Sequence, residues 1–249
     1  MMIQNTDNLQ DLIDVHSHIL PGMDDGPKTI EESFSMLETA YRQGVRHIWS
    51  TSHFYPERED PASFLKRRSE SAERLRPGFK KSSMPKIYLG AEVAYFFGLG
   101  RCKPMRDLTI GGSPFLLVEM PADRWSDDIA DDLLMVKYVL GLRPIIAHVE
   151  RCIPEQPKKI VRRLSEEGVY FQSNAAFLGD IENKKREIRF MIKEKLIDLM
   201  GSDCHGIERR RPNLDAGYNS FSQIADHELI TALCGRAARM TDLAEPFIG

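Results

Sequence analysis

Short apolar runs alternate with helical patterns along this chain, and that alternation constrains its fold more than any other feature. The runs span about Leu12–Ile19, Val45–Phe54, Lys86–Val93, Phe115–Met120, Pro144–Val149, Val169–Ser173 and Leu196–Ser202. Helical patterns lie between them, from about Ile30 to Gly44, Pro61 to Leu75, Ser126 to Gly141, Pro157 to Gly168 and Asn183 to Lys195. A last one covers His227–Leu243. Thr29 with Glu32 three residues on reads as a capping box. Ser126 caps a helix whose first turn carries Asp127 and Asp128, which suits the helix dipole. Pro157 opens and Gly168 closes another. Strand–helix alternation is the signature of βαβ units and a parallel sheet, so the chain is expected to be α/β, either a barrel or a wound sheet. The stretch from Glu92 to Phe115 holds Gly98, Gly100, Pro104, Gly111, Gly112 and Pro114, and reads as a loop.

A chain of 249 residues falls within the ~200–250 residues that an α/β barrel occupies as one domain, so a single domain over 1–249 is expected. Four Cys without a CxxC pair are no disulfide framework and point to a reducing compartment. No apolar run reaches the ~18 residues of a membrane span. The opening MMIQNTDNLQDL is polar and lacks a signal peptide's apolar region. A formal charge of −3 argues against general nucleic-acid binding, which calls for a basic excess. A cytoplasmic globular protein is expected, with no nucleic-acid partner and no membrane insertion. Its oligomeric state is left open.

The chemistry gathers at the C-terminal ends of the expected strands. The first ends in Asp14-Val15-His16-Ser17-His18, the second at His53, the third at Glu92 and the fourth at Glu119. The fifth ends at His148 and the seventh in Ser202-Asp203-Cys204-His205. In a parallel barrel these ends meet on one face, where active sites sit. Residues i and i+2 of a strand point the same way, so His16 can share an ion with His18, and Asp203 with His205. Mixed imidazole and carboxylate donors suit Zn, Mn or Fe. The donors exceed what one ion needs, and two or three ions bridged by carboxylates are the economical reading, as in two-metal phosphoesterases. Asp14 is expected to support the ligands rather than bind metal. His47 and His227 are read as structural.

The run from Asp14 to Gly26, DVHSHILPGMDDG, followed by Thr29 and Glu32, resembles the opening of the CpsB/CapC-type phosphatases. These are metal-dependent protein-tyrosine phosphatases of the polymerase-and-histidinol-phosphatase (PHP) superfamily. Later segments are similar in order: Ser52-His53, Gly90-Ala91-Glu92-Val93, Leu117-Val118-Glu119-Met120-Pro121, Ala147-His148-Val149-Glu150-Arg151 and Ser202-Asp203-Cys204-His205. The resemblance covers nearly the whole chain and implies a distorted seven-stranded (β/α) barrel, TIM-like, with a trinuclear site usually described with Mn. Fe, Zn and Mg are the alternatives. By motif position it implies His16, His18, Asp25, His53, Glu92, Glu119, His148, Asp203 and His205 as ligands, with Glu92 bridging. Arg151 is implied as a phosphate-binding residue. A second such Arg matches Arg211 by the Pro that follows it, and Arg210 by its distance from His205. Phe54 stands where the family often has a second His and is expected in the pocket wall.

Ions at such a site bring bound water toward a neutral pKa, so the expected nucleophile is hydroxide, attacking phosphorus in line with the leaving phenolate. The resemblance implies the substrate: the phosphorylated, Tyr-rich tail of a membrane-associated bacterial tyrosine kinase that controls capsular or exopolysaccharide assembly. Other readings stay open on sequence. Cys204 and Arg210 formally satisfy C-x5-R, the pattern of thiolate phosphatases. A small-molecule phosphomonoesterase of the histidinol-phosphate type, a metal-dependent nuclease and a non-enzymatic metal-binding module share the same residues.

Overall fold

The computed structural model describes residues 11–249. Nine strand segments run parallel in it: β1 (Leu12–Ser17), β2 (Val45–Ser50), β3 (His53–Phe54), β4 (Lys86–Leu89), β5 (Glu92–Ala94), β6 (Phe115–Glu119), β7 (Arg143–Ile146), β8 (Tyr170–Asn174) and β9 (Leu199–Gly201). The helices are α1 (Ile30–Arg42), α2 (Pro61–Glu73), α3 (Asp127–Tyr138), α4 (Lys158–Glu166), α5 (Ala175–Gly179), α6 (Ile181–Lys193), α7 (Leu214–Phe221) and α8 (His227–Thr241). The Thr29–Glu32 capping box is present at α1, and the Ser126 hydroxyl accepts from Ile129 N at α3.

The strands form two sheets, β1-β2-β4 and β3-β5-β6-β7-β8-β9. Two of the expected strands are each split: β2 passes into β3 across Thr51-Ser52, and β4 into β5 across Gly90-Ala91. At Gly90 a Cβ would lie 2.3 Å from Ile110 Cδ1, so a larger residue at this bend would have to displace the Ile110 side chain. Counted through these breaks there are seven staves. The outer edges meet, since Asp203 N donates to His16 O at 2.8 Å and His18 N to Cys204 O at 2.9 Å. A parallel Ser17–Cys204 bridge joins the same edges. The result is a distorted seven-stranded barrel.

Period-two alternation divides the core. Val15, Trp49, Tyr88, Phe115, Leu117, Ile145 and Leu199 form one cluster with Ala237 and Met240 of α8. Their neighbours Ile48, Ile87, Val118 and Ile146 join the larger cluster with Met36, Leu37, Phe64, Leu133 and Leu164 from the helices. The Trp49 indole donates to Thr241 Oγ1 at 3.0 Å. The chain's end pairs against β4, through Phe247 N to Ile87 O and Ile87 N to Ile248 O. The Ile87 contacts lie toward the N-terminal end of β4, away from the face where the strands end.

Three local expectations change. The Glu92–Phe115 connection is not plain loop but carries 3-10 turns at Leu99–Arg101, Lys103–Leu108 and Ile110–Gly112. The helices α5 and α7 were not legible as periodic patterns. They are short and meet where a Cβ on Gly217 would come within 2.6 Å of Ala175 Cβ. Phe54 is 1% exposed and packs edge-on against Phe64, so it belongs to the core and not to a pocket wall.

Candidate metal centre

The bulged β1 delivers His16 and His18 side by side, with their Nε2 atoms 3.2 Å apart. The loop after β1 returns over them. Gly26 lies so close that a Cβ would stand 2.7 Å from His18 O, so this turn requires glycine. That return places Asp24 Oδ2 2.8 Å from His18 Nδ1, and the same oxygen accepts from His53 N at 3.0 Å. With Nδ1 taken by Asp24, Nε2 of His18 faces the centre.

Glu92, fully buried at the start of β5, is the hub. Its Oε2 lies 3.1 Å from His16 Nε2, 3.2 Å from His18 Nε2 and 3.1 Å from His53 Nδ1. Its Oε1 lies 2.7 Å from His148 Nε2. Glu119, at the end of β6, sits 3.5 Å from His148 Nε2 and 4.0 Å from His53 Nδ1. Beyond β9, Asp203 Oδ1 stands 3.5 Å from both His16 and His18. His205 stacks on His18 at 3.8 Å and places Nε2 3.2 Å from the exposed Asp25. All nine residues expected as ligands therefore meet at the C-terminal face.

Three groups have donor atoms close enough to hold an ion: His18, Asp25, His53 and His205; His16, His18 and Asp203; and His53, Glu92 and Glu119. His148 falls outside these groups but touches Glu92 and Glu119. Two buried donor atoms, His53 Nδ1 and His205 Nε2, have no hydrogen-bond partner although carboxylates lie within 4 Å. Buried polar atoms are rarely left so. Atoms that converge without bonding one another fit a cation placed among them, and the mixed nitrogen and oxygen donors suit Mn, Fe or Zn.

Charge follows this arrangement. Burial works against ionising Glu92, but the His16 charge and hydrogen bonds from His148, His16 and His18 hold it well below the usual carboxylate range. Burial likewise opposes charge on His18, yet its bonds to Asp24 and Glu92 lift it to about 10. Asp203 is held low against its burial by His16 and His18. Burial pushes His205 down to about 4, aided by the charges of His18 and Arg210.

Two guanidinium groups border the cluster. Arg151 donates to Asp203 Oδ2 at 2.7 Å, and Arg210 lies 2.6 Å from Asp203 Oδ1 and 3.6 Å from Asp25. Arg211, exposed, makes no ion pair among the described residues, so it is Arg210 that the fold brings to the centre. His148, Asp203 and Arg210 all adopt left-handed backbone, with φ of 30°, 52° and 50°. Such strain in non-glycine residues concentrates at functional sites. Cys204 is fully buried in the apolar core and burial drives its thiol pKa far up, so the C-x5-R match offers no accessible sulfur.

Asp14 bonds Ser202 N at 2.8 Å and His16 N at 3.3 Å, tying β1 to β9 beneath the cluster. His47 pairs with Tyr88 Oη at 2.7 Å and His227 with Thr231, both away from it. Sequence reasoning passed over Asp24, Gln172 and Asn174, which hold the donors in place. The signal for the last two was the i, i+2 spacing of the amides Gln172 and Asn174 on one strand.

Comparison with known proteins agrees with this geometry. A tyrosine-protein phosphatase CpsB of Streptococcus agalactiae is 33% identical over 224 residues, covering 83% of this chain and 88% of that protein. The tyrosine-protein phosphatase YwqE of Bacillus subtilis is 30% identical over 210 residues, covering 80% and 79%. A crystal structure from a study of Bacillus subtilis YwqE and Streptococcus pneumoniae CpsB, described as unique metal-dependent tyrosine phosphatases, superposes with a TM-score of 0.80. It is 25% identical, with 96% of this chain and 97% of that one covered. The family model for capsular polysaccharide synthesis, CpsB/CapC, matches residues 12–240, and the chain belongs to that family.

Proposed function

We propose that this protein is a metal-dependent protein-tyrosine phosphatase working as one domain in the cytoplasm. Its substrate is the phosphorylated, Tyr-rich tail of a membrane-associated bacterial tyrosine kinase in capsular or exopolysaccharide assembly. One observation carries the reading. Nine His, Asp and Glu side chains from six staves and one loop converge, with Glu92 as their hub and Arg151 and Arg210 at their border.

His16, His18, Asp25, His53, Glu92, Glu119, His148, Asp203 and His205 would hold two or three ions, manganese by preference. Such ions supply positive charge for a phosphoryl group and acidify water. Arg151 and Arg210 are half-exposed and each pairs with one oxygen of Asp203. Planar guanidinium forks match phosphate oxygens, so these two residues bind and orient the phosphate. A cleft of about 300 Å³ opens beside Arg151, lined also by Tyr95, Glu119, Met120, Pro121 and His148. Its apolar walls suit the ring of a tyrosine. A phenolate leaving group, with a pKa of ~10, needs little help from a general acid.

Metal analysis paired with hydrolysis of a phosphotyrosine peptide tests this reading, with histidinol phosphate and a nucleotide diester as competing substrates. Wild type should carry divalent metal and prefer the peptide, and His53→Ala should lose both metal and activity. Preference for either competitor, or activity that survives chelation, would overturn it.

A further inference from the structure

The stave β8 contributes none of the nine candidate ligands, yet it touches three of them. Gln172 and Asn174 are two positions apart and both buried. Gln172 Oε1 accepts from the backbone N–H of His148 at 2.8 Å and lies 2.9 Å from His16 Nδ1. Gln172 Nε2 donates to Asn174 Oδ1 at 3.0 Å, and Asn174 Nδ2 donates to Asp203 Oδ2 at 2.8 Å. Glu150 Oε1 accepts from Asn174 N at 3.2 Å, which anchors the end of the strand.

These contacts have only one consistent direction. A backbone N–H can only donate, so the Gln172 atom facing His148 is the amide oxygen. That oxygen cannot donate, so the proton between it and His16 belongs to Nδ1. Nε2 of His16 is then the atom presented to Glu92 and His18. The Gln172 amide nitrogen must face Asn174, whose oxygen accepts and whose nitrogen is thereby turned toward Asp203. Asp203 Oδ2 then accepts from Asn174 as well as from Arg151, while Oδ1, 2.6 Å from the Arg210 guanidinium, stands 3.5 Å from both His16 and His18.

We propose that Gln172 and Asn174 form a one-directional amide relay that presets His16, His148 and Asp203 for metal. They act as positioning residues for three ligands at once. This rests on the metal-centre reading above. It explains why a buried strand that binds nothing itself carries two amides where its neighbours carry apolar or ligating groups.

The test compares wild type with Gln172→Leu, Gln172→Glu and Asn174→Ala. Affinity for Mn²⁺ and Zn²⁺ is measured by competition with a chelator, and the melting temperature of each metal-free protein is recorded. The His16 Nδ1–H resonance is followed by NMR in the zinc-loaded protein. Gln172→Leu should lower metal affinity by about 10- to 100-fold, the usual effect of losing an outer partner of a ligand, and should abolish the Nδ1–H signal. Gln172→Glu should keep that signal, because a carboxylate oxygen still accepts from His16 and His148. Its affinity should nevertheless fall to that of Asn174→Ala, because it cannot donate to Asn174 and the support of Asp203 is lost. Unchanged affinity in all variants, with only lowered melting temperatures, would make the pair merely structural and overturn the relay. A Gln172→Glu protein equal to wild type in affinity would overturn its direction. Failure of wild type to bind either ion would instead strike the metal reading on which the relay rests.

Discussion

Glu92 Oε1 lies 2.7 Å from His148 Nε2, although the two residues are 56 positions apart and β6 runs between their staves. A carboxylate at 0% exposure reaching imidazoles from four directions has no role in an apolar core. Glu92→Gln keeps the shape and removes the charge. It should lower phosphotyrosine hydrolysis by more than about 100-fold, beyond the effect of an outer-shell change, and should reduce bound metal. Steady-state kinetics with metal analysis checks this, and retained metal with near-normal kcat would contradict it.

Arg210 and Arg211 are neighbours in sequence and differ in contact. Arg210→Ala should reduce kcat/KM by about 10- to 100-fold, as expected when a charged hydrogen bond is removed. Arg211→Ala should stay close to wild type. Equal losses from the two substitutions would show that the exposed Arg211 also reaches substrate.

Cys204 tests the thiolate alternative. Cys204→Ala should leave kcat unchanged and cost stability by about 1 kcal/mol, a typical core substitution. A chelator should abolish activity in both proteins. Loss of activity in the folded variant would reopen the thiol route.

Gly201 on β9 leaves no room for a side chain: a Cβ there would stand 2.6 Å from His16 Cβ and 2.9 Å from His16 N. Gly201→Ala should destabilise the protein by about 1–3 kcal/mol through overpacking. It should also weaken metal binding, because the displaced residue is His16. Chemical denaturation and metal titration read the two effects, and a loss of stability with unaltered metal affinity would separate them.

His47 offers a pH test outside the centre. It is half-buried, and burial together with the Lys86 charge lowers its pKa from the ordinary 6.5. Above that value the ring is neutral in both folded and unfolded chains. As pH falls below it, the unfolded chain takes the proton first, so stability is lost down to the folded pKa. The stability difference between wild type and His47→Gln should be constant above about pH 7 and should shrink below about pH 6.5. A difference independent of pH between 5 and 8 would sink the assignment.

Much of this was legible in the chain alone. Seven apolar runs, the Thr29–Glu32 box and the positions of His53, Glu92, Glu119 and His148 depend on residues a few places apart. Periodicity and capping are local properties, and they place each donor at a strand end. What lay beyond reach were contacts created by closing the barrel. The splits at Thr51-Ser52 and Gly90-Ala91, the burial of Phe54 and the choice of Arg210 over Arg211 are of this kind. So is the bond between His16 and Gln172, residues 156 positions apart. The sequence by itself determined which side chains face the C-terminal end of an α/β barrel. Only the tertiary structure decided which of them touch, because strand register and the meeting of β1 with β9 set distances that no local pattern encodes.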